Sequence, residues 1–526
     1  MEKERDCRCM FRAARVFIWI SLLALFFLFF AGNHCGLANE RRGRVVMVVI
    51  DRLSLDDLNN PVLGTLPRLI RKGGIGLLNT GTGGARNPEN AYATIGAGAH
   101  AIATKAGAFA YEPAEQFSVG SKVYEEFRQR TGFIPMPENV VVLEGTRLAR
   151  ENAKLLYPVE PGALGEKLKA AGIKAACLGN ADWRDRPGRQ VATVAMDKSG
   201  VVAAGYVGRE LLMRDASFPG GFRTDYDILW KKWRALKKAD FVVIDLGDTS
   251  RLDEARAEVT DAVFKRRWEE ALSRAERFLG GITADLDLRH DCLLIVSPTP
   301  SRAALEGGDW FTPAVLVGGG VAPGSVLTSP STRRPGVIMS TDLAPTILRF
   351  FGIEVPETMS GRPVTGVRVP AQMQYLTALW RQVFFTHNFR APVIKTYLFY
   401  TLILLVAAVL FILLREKSWA RRLQLYPLLF SVMAFPLSCL LVPVFGTYTL
   451  SLYLGEIVAV TAVLTLITLY FERRKALAGF IFLSLTTVGL ILADVFTGTT
   501  LLRQSMLSYD AMGGARFYGI GNEYMG

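Results

Sequence analysis

The sequence predicts an α/β domain, a parallel-type sheet flanked by helices, followed by an all-α polytopic membrane domain. Three observations predict it. Unbroken apolar runs of strand length alternate with helical stretches between Arg44 and about Gly366. Beyond Val393 the apolar residues pool into four long blocks. One further block near the N-terminus follows a basic head. In bulk the chain is half hydrophobic, with mean hydropathy +0.24 and net charge +13, as suits a membrane protein with one large water-exposed part.

The first element is "VFIWISLLALFFLFFAG" (16–32), preceded by Lys3, Arg5, Arg8, Arg12 and Arg15. A basic head before an apolar run reads as a signal peptide or a signal anchor; because "GLANE" is a poor cleavage match, the uncleaved anchor is preferred, with residues 1–39 as cytoplasmic head and helix. Residues 40–392 then lie outside the cytoplasm. Four spans follow within 393–496, at about 396–414, 424–444, 450–471 and 477–496. The loops "REKSWARR" (415–422) and "ERRK" (472–475) are basic and fall on the inner side. Residues 497–526 form an outer tail, and its ending in "GIGNEYMG" reads as a chain that continues into more spans. The basic excess sets topology and favours anionic headgroups. It has no aromatic-interleaved patch, so nucleic acid is not an expected partner.

Strands of the large domain read as 44–50, 139–143, 174–179, 190–196, 240–245, 292–297 and 314–319. Helical patterns lie between them, at 162–172, 225–239 and 263–281. Apolar runs without alternation suit strands buried on both faces. Cys177 and Cys292 fall in such runs and read as buried free thiols.

Ligands of such sheets sit beyond the carboxyl ends of the strands. Asp51 follows the first strand, and Asp245 ends the fifth, with Asp248 just after it. Clustered carboxylates there need a cation or shared protons. "NPENAYATIGAGAHA" (87–101) places one hydroxyl, Thr94, near a loop-to-helix transition, where it is a nucleophile or a helix cap. "GTGGARNP" (81–88) has the composition of a phosphate-cradling loop or of a flexible surface loop. Asn90, Arg86, Arg251 and Arg302 are candidate contacts for an anionic group. Glu456 and Asp494 are the acidic residues inside the spans, where a buried carboxylate is costly.

These segments resemble the alkaline phosphatase superfamily, which includes phosphodiesterases, sulfatases and cofactor-independent phosphoglycerate mutases. "VVMVVIDRLS" resembles its first strand with a metal-binding Asp, here Asp51. "NPENAYATIGAGAHA" resembles its nucleophile segment, with Thr94 in the hydroxyl position. "ADFVVIDLGDTSRLD" resembles the strand that carries a second metal Asp, here Asp248. "STDLAPTILRFFGIEVPETMSGRPV" (340–364) resembles its closing segment. The resemblance covers residues 44 to about 366. It implies two divalent ions held by Asp and His, which activate the hydroxyl and steady the leaving oxygen.

The chain departs from that pattern. Leu252 stands where a His is expected after Asp248, and Pro298 and Thr299 replace an Asp-His pair in "LLIVSPTPSR". The segment 328–336 has no His. The four histidines do not repair this. His34 is at the anchor, His387 is near the second apolar block, and His290 precedes its strand. His100 follows Thr94 by six residues, about 240° around a helix. The expectation is therefore one divalent cation (Mg²⁺, Mn²⁺, Ca²⁺ or Zn²⁺) on Asp51, Asp248 and Asp245 or Asp253, or no metal at all. Two functions follow. One is hydrolysis or transfer of a phosphoryl-type group of an anionic or lipid-linked envelope substrate, with Thr94 attacking. The other is a degenerate domain that binds or assembles in the cell envelope.

Overall fold

The computed structural model describes residues 43–118, 120–413, 426–514, 516–521 and 524. The basic head and anchor, and the loop 415–422, lie outside the described residues. A ten-stranded sheet organises the chain from Gly43 onward. From one edge its order is Thr365–Arg368, Ser325–Thr328, Gly74–Asn79, Phe311–Val317, Cys292–Val296, Val45–Val49, Phe241–Asp245, Ala175–Leu178 and Ala204–Tyr206. Val337–Met339 pairs with Gly74–Asn79 off this path. The five strands from Cys292–Val296 to Ala204–Tyr206 run parallel. Phe311–Val317 is antiparallel to both of its neighbours. The α/β class read from the sequence is the observed one, with an antiparallel insertion in a mostly parallel sheet.

The central strand shows why apolar runs predict this architecture. Val45, Met47 and Val49 pack into one core, against the helices Pro88–Ala97, Ala163–Ala170 and Leu343–Phe350. Val46, Val48 and Ile50 pack into the other, against Thr65–Lys72, Tyr226–Ala235 and Asp261–Asp285. Both faces are covered, so no residue of the strand is left for water.

Two strand readings are corrected. Residues 190–196 are not a strand: Ala192–Ala195 is a buried helical turn, crossing the Pro88–Ala97 helix where Gly96 leaves no room for a Cβ against the Thr193 carbonyl. A short apolar run carries no period that separates the two states. Val140–Val142 is a strand, but it belongs to a small antiparallel sheet with Ala110–Tyr111 and Val201–Val202.

Four described helices are long and apolar enough to cross a membrane: Gln372–Leu413, Pro427–Phe445, Leu450–Arg474 and Ala478–Phe496. The first is one helix of 42 residues. Its first turns bury Gln372, Leu376, Leu379 and Val383 against the α/β domain, and its apolar remainder starts after Pro392. After the fourth helix the chain returns to the domain. Met512 and Phe517 share a core with Leu376 and Leu379. Asn79 Nδ2 donates to the carbonyls of Ala511 and Met512 at 3.0 and 2.9 Å. Asp494 caps this return by accepting from the amides of Leu501 and Leu502, and Glu456 accepts from Thr447. Both intramembrane carboxylates are thereby hydrogen-bonded.

Candidate ligand-binding rim

Asp51 and Asp245 are neighbours because their strands are, with Val49 opposite Asp245 in register. Both carboxylates are buried and both are fully engaged. Asp51 Oδ1 accepts from the Thr299 amide at 2.7 Å, and Oδ2 from the Thr299 hydroxyl at 2.5 Å. Asp245 accepts from the Gly247 amide and the Tyr92 hydroxyl, each at 3.0 Å. Burial, and then the nearby Asp51 charge, push the Asp245 carboxyl up to about 7. Thr299 thus meets the Asp51 carboxylate with a pair of hydrogen-bond donors.

Arg52 is the residue that sequence reasoning missed. It is 5% exposed and sits at φ +69, the left-handed region that a long side chain rarely occupies. Nε lies 3.5 Å from Asp253 Oδ2 and 3.9 Å from Asp51 Oδ2. Nη1 donates to the Pro300 carbonyl at 2.8 Å. A guanidinium therefore supplies positive charge among the carboxylates that were expected to share an ion. The Asp253 carboxyl is raised by burial, against the opposing pull of Arg52.

Asp248 faces another way. Its Oδ1 accepts from the Thr224 amide at 2.8 Å and pairs with Arg251 at 3.1 Å, and its Oδ2 pairs with Arg274 at 3.4 Å. Gly247, at φ +70, makes the turn that sends the chain into the Asp248–Glu254 helix, and a Cβ there would strike the Asn180 carbonyl. Arg251 is buried as the partner of Asp248 and the Asn180 carbonyl. Arg302 pairs with Glu254.

Thr94 lies in the second half of its helix, not at its start. It is 0% exposed. Its hydroxyl accepts from the Ala101 amide at 3.1 Å and donates to the Ala101 carbonyl at 3.4 Å, tying down the turn after the helix. The cap is Asn87, whose side chain accepts from the Asn90 amide. Thr94 is therefore not the cap of this helix, and its buried hydroxyl is taken up by Ala101. Asn90 is likewise internal: Nδ2 donates to the Ala85 carbonyl, and Oδ1 accepts from the Ala103 amide. With Gly83 bonded to Ala101, these contacts hold the 81–86 loop in place. Arg86 stacks 3.8 Å over Trp310, towards Asp510 of the returning tail, and burial lowers its pKa. His100 sits beside Gly81, and His290 is exposed on Asp287.

A cleft of about 460 Å³ opens over this rim. Arg52, Lys105 and Arg186 line it with Glu89, Ser250 and Trp183. Glu89 belongs to the first turn of the Pro88–Ala97 helix, and burial raises its pKa. The Ser250 hydroxyl is buried without a hydrogen-bond partner.

A divalent ion does not fit this donor set. Asp51, Asp245 and Asp248 each spend both oxygens on protein donors, and Arg52 already provides charge beside Asp51. Among the described residues no three His, Cys, Asp or Glu side chains come together as a metal-ligating group.

No family model matches the sequence, and no curated protein does. Among solved structures, the chain is similar to a protein in the alkaline phosphatase superfamily from Vibrio parahaemolyticus, at 14% identity and TM-score 0.36, over 61% of this chain and 69% of that one. It is similar to a protein from Pyrococcus horikoshii, at 14% identity and TM-score 0.34, over 60% and 98%. It is also similar to the lipoteichoic acid synthase LtaP from Listeria monocytogenes, at 12% identity and TM-score 0.33, over 61% and 75%.

Proposed function

We propose that the chain is a membrane-anchored binding module of the cell envelope, whose phosphatase-like rim holds an anionic ligand without a divalent ion and without turning it over. The observation that carries this reading is Arg52, buried between Asp51 and Asp253 and among the residues that line the cleft. A guanidinium forks onto oxyanions well and needs no further cation. Lys105 and Arg186 add positive charge at the same wall; of the acidic residues there, Glu254 is taken up by Arg302, while Glu89 and Asp185 also face the cleft. The ligand is an anionic group, free or lipid-linked. On this reading the N-terminus is cytoplasmic and the domain lies outside. Two features support that topology. The "ERRK" loop is basic, and a tail separated from the domain by four membrane-type helices returns to the domain, as an even number of crossings requires.

The test uses the full chain in detergent micelles or nanodiscs. Elemental analysis, hydrolysis of an aryl phosphate and of a phosphodiester, and binding of pyrophosphate are measured on one preparation. The expected result is no stoichiometric divalent metal, no turnover, and saturable pyrophosphate binding weakened in Lys105→Ala and Arg186→Ala. Stoichiometric metal with turnover lost in Thr94→Ala would establish the enzyme instead.

A further inference from the structure

A second cleft, of about 470 Å³, shares no lining residue with the rim. It lies between the antiparallel ribbon Leu212–Arg214/Phe222–Thr224, the Tyr226–Ala235 helix and the Asp261–Asp285 helix. Three arginines line it: Arg223, Arg274 and Arg277. Arg223 is held by Asp215 at 2.8 Å. Arg274 is held by Asp248 at 3.4 Å, with Glu270 at 4.0 Å, and its Nη2 is buried without a hydrogen-bond partner. Arg277 is exposed and carries no ion pair among the described residues. The buried Arg274 Nη2 is thus a donor without a partner, which an entering acceptor would satisfy.

The remaining wall is aromatic. Trp230 and Phe278 meet edge to face with ring centroids 5.7 Å apart, and Tyr226 and Phe278 do so at 5.8 Å. The Tyr226 hydroxyl is also buried without a partner. Gly281 is part of the construction: a Cβ there would come within 2.8 Å of the Trp230 ring, so only glycine lets the indole keep its place. Two carboxylates stand at the same cleft. Asp225 is spent on capping its helix, through the amides of Asp227 and Ile228. Asp227 is exposed and open to accept.

We infer that this cleft is a saccharide site for an anionic sugar unit, with its apolar C–H face against Trp230, its acid group on Arg277 and Arg274, and a hydroxyl donating to Asp227. Aromatic rings together with groups of both signs match a sugar acid better than a bare anion, which Asp227 would repel. In this arrangement Asp248 is a positioning residue: it orients Arg274 towards the cleft from beneath. The inference uses none of the rim residues, so it stands or falls separately from the function proposed above.

The experiment titrates the full chain in nanodiscs with a hexasaccharide of alternating uronate and N-acetylhexosamine, read by calorimetry. Neutral chitohexaose and inorganic phosphate are the comparison ligands. The expected result is saturable binding of the uronate oligomer in preference to both. Arg277→Ala is expected to weaken it by about tenfold, one charge-assisted hydrogen bond. Gly281→Ala weakens it by tilting Trp230. Lys105→Ala at the rim leaves it unchanged. Arg277 is exposed, so its variant keeps the wild-type melting temperature. Absence of saturation, equal affinity for phosphate or the neutral oligomer, or loss in Lys105→Ala but not in Arg277→Ala would overturn the inference.

Discussion

The carboxyl of Asp245 offers the sharpest test of the rim. It is wholly buried beside Asp51, and burial first, then Asp51, raises it from 3.8 to about 7. Between roughly pH 4 and pH 7 the folded chain keeps a proton that the unfolded chain has released, so rising pH favours unfolding. Below that window both states are protonated and the penalty vanishes. Above it the penalty is complete. Three units at 1.36 kcal/mol each make it roughly 4 kcal/mol at most. Asp245→Asn removes the titration and keeps an acceptor for the Gly247 amide, while the Tyr92 hydroxyl can turn to accept from the new amide. The assay is amide hydrogen exchange of Val45–Val49 and Phe241–Asp245 in the full chain from pH 5 to pH 8.5, corrected for intrinsic exchange at each pH. Wild-type opening free energy should fall across the window, and the variant should lack that fall and exceed the wild type at pH 8. A flat wild-type profile, or the same slope in Asp245→Asn, would refute a buried, proton-bearing Asp245.

Three further outcomes are expected. Arg52→Met leaves Asp51 and Asp253 without their buried counter-charge, which should cost about 3–5 kcal/mol in the same exchange measurement; a loss near zero would show that Arg52 is not their partner. Thr94→Val breaks both hydrogen bonds to Ala101 and should cost about 1–3 kcal/mol of stability, while pyrophosphate binding in the surviving folded fraction stays at the wild-type affinity. Asn79→Ala strands the Ala511 and Met512 carbonyls and should sharply raise protease cutting within 505–518, with cutting elsewhere unchanged.

Much of this fold was legible in the sequence. The run "RVVMVVI" announced a strand covered on both faces, and the four apolar blocks marked four helices. "QVATVAM" was not legible, because a short apolar run carries no period and crossing the Gly96 helix decided its state. The site was only half legible. Strand ends predicted that Asp51 and Asp245 meet, but not the direction of their side chains. A shift of a few residues past the strand end turned Asp248 towards Arg274 and away from the rim. Arg52 was hidden because its role depends on a left-handed backbone that no local motif announces. The cap reading of Thr94 failed because a hydroxyl inside a helix and one at its start look alike until Asn87 is seen to be the cap.

The bond from Asn79 to the carbonyls of Ala511 and Met512 spans 432 and 433 residues of chain. Closing so long a loop is a late event in assembly. The second strand therefore waits, with one end unfinished, while all four hydrophobic helices are made and set in place. Synthesis order and completion order diverge in this molecule: a strand that emerges early is sealed by residues 432 and 433 positions further along the chain. A ribosome stalled before residue 505 would leave a domain with a full sheet and an open seam.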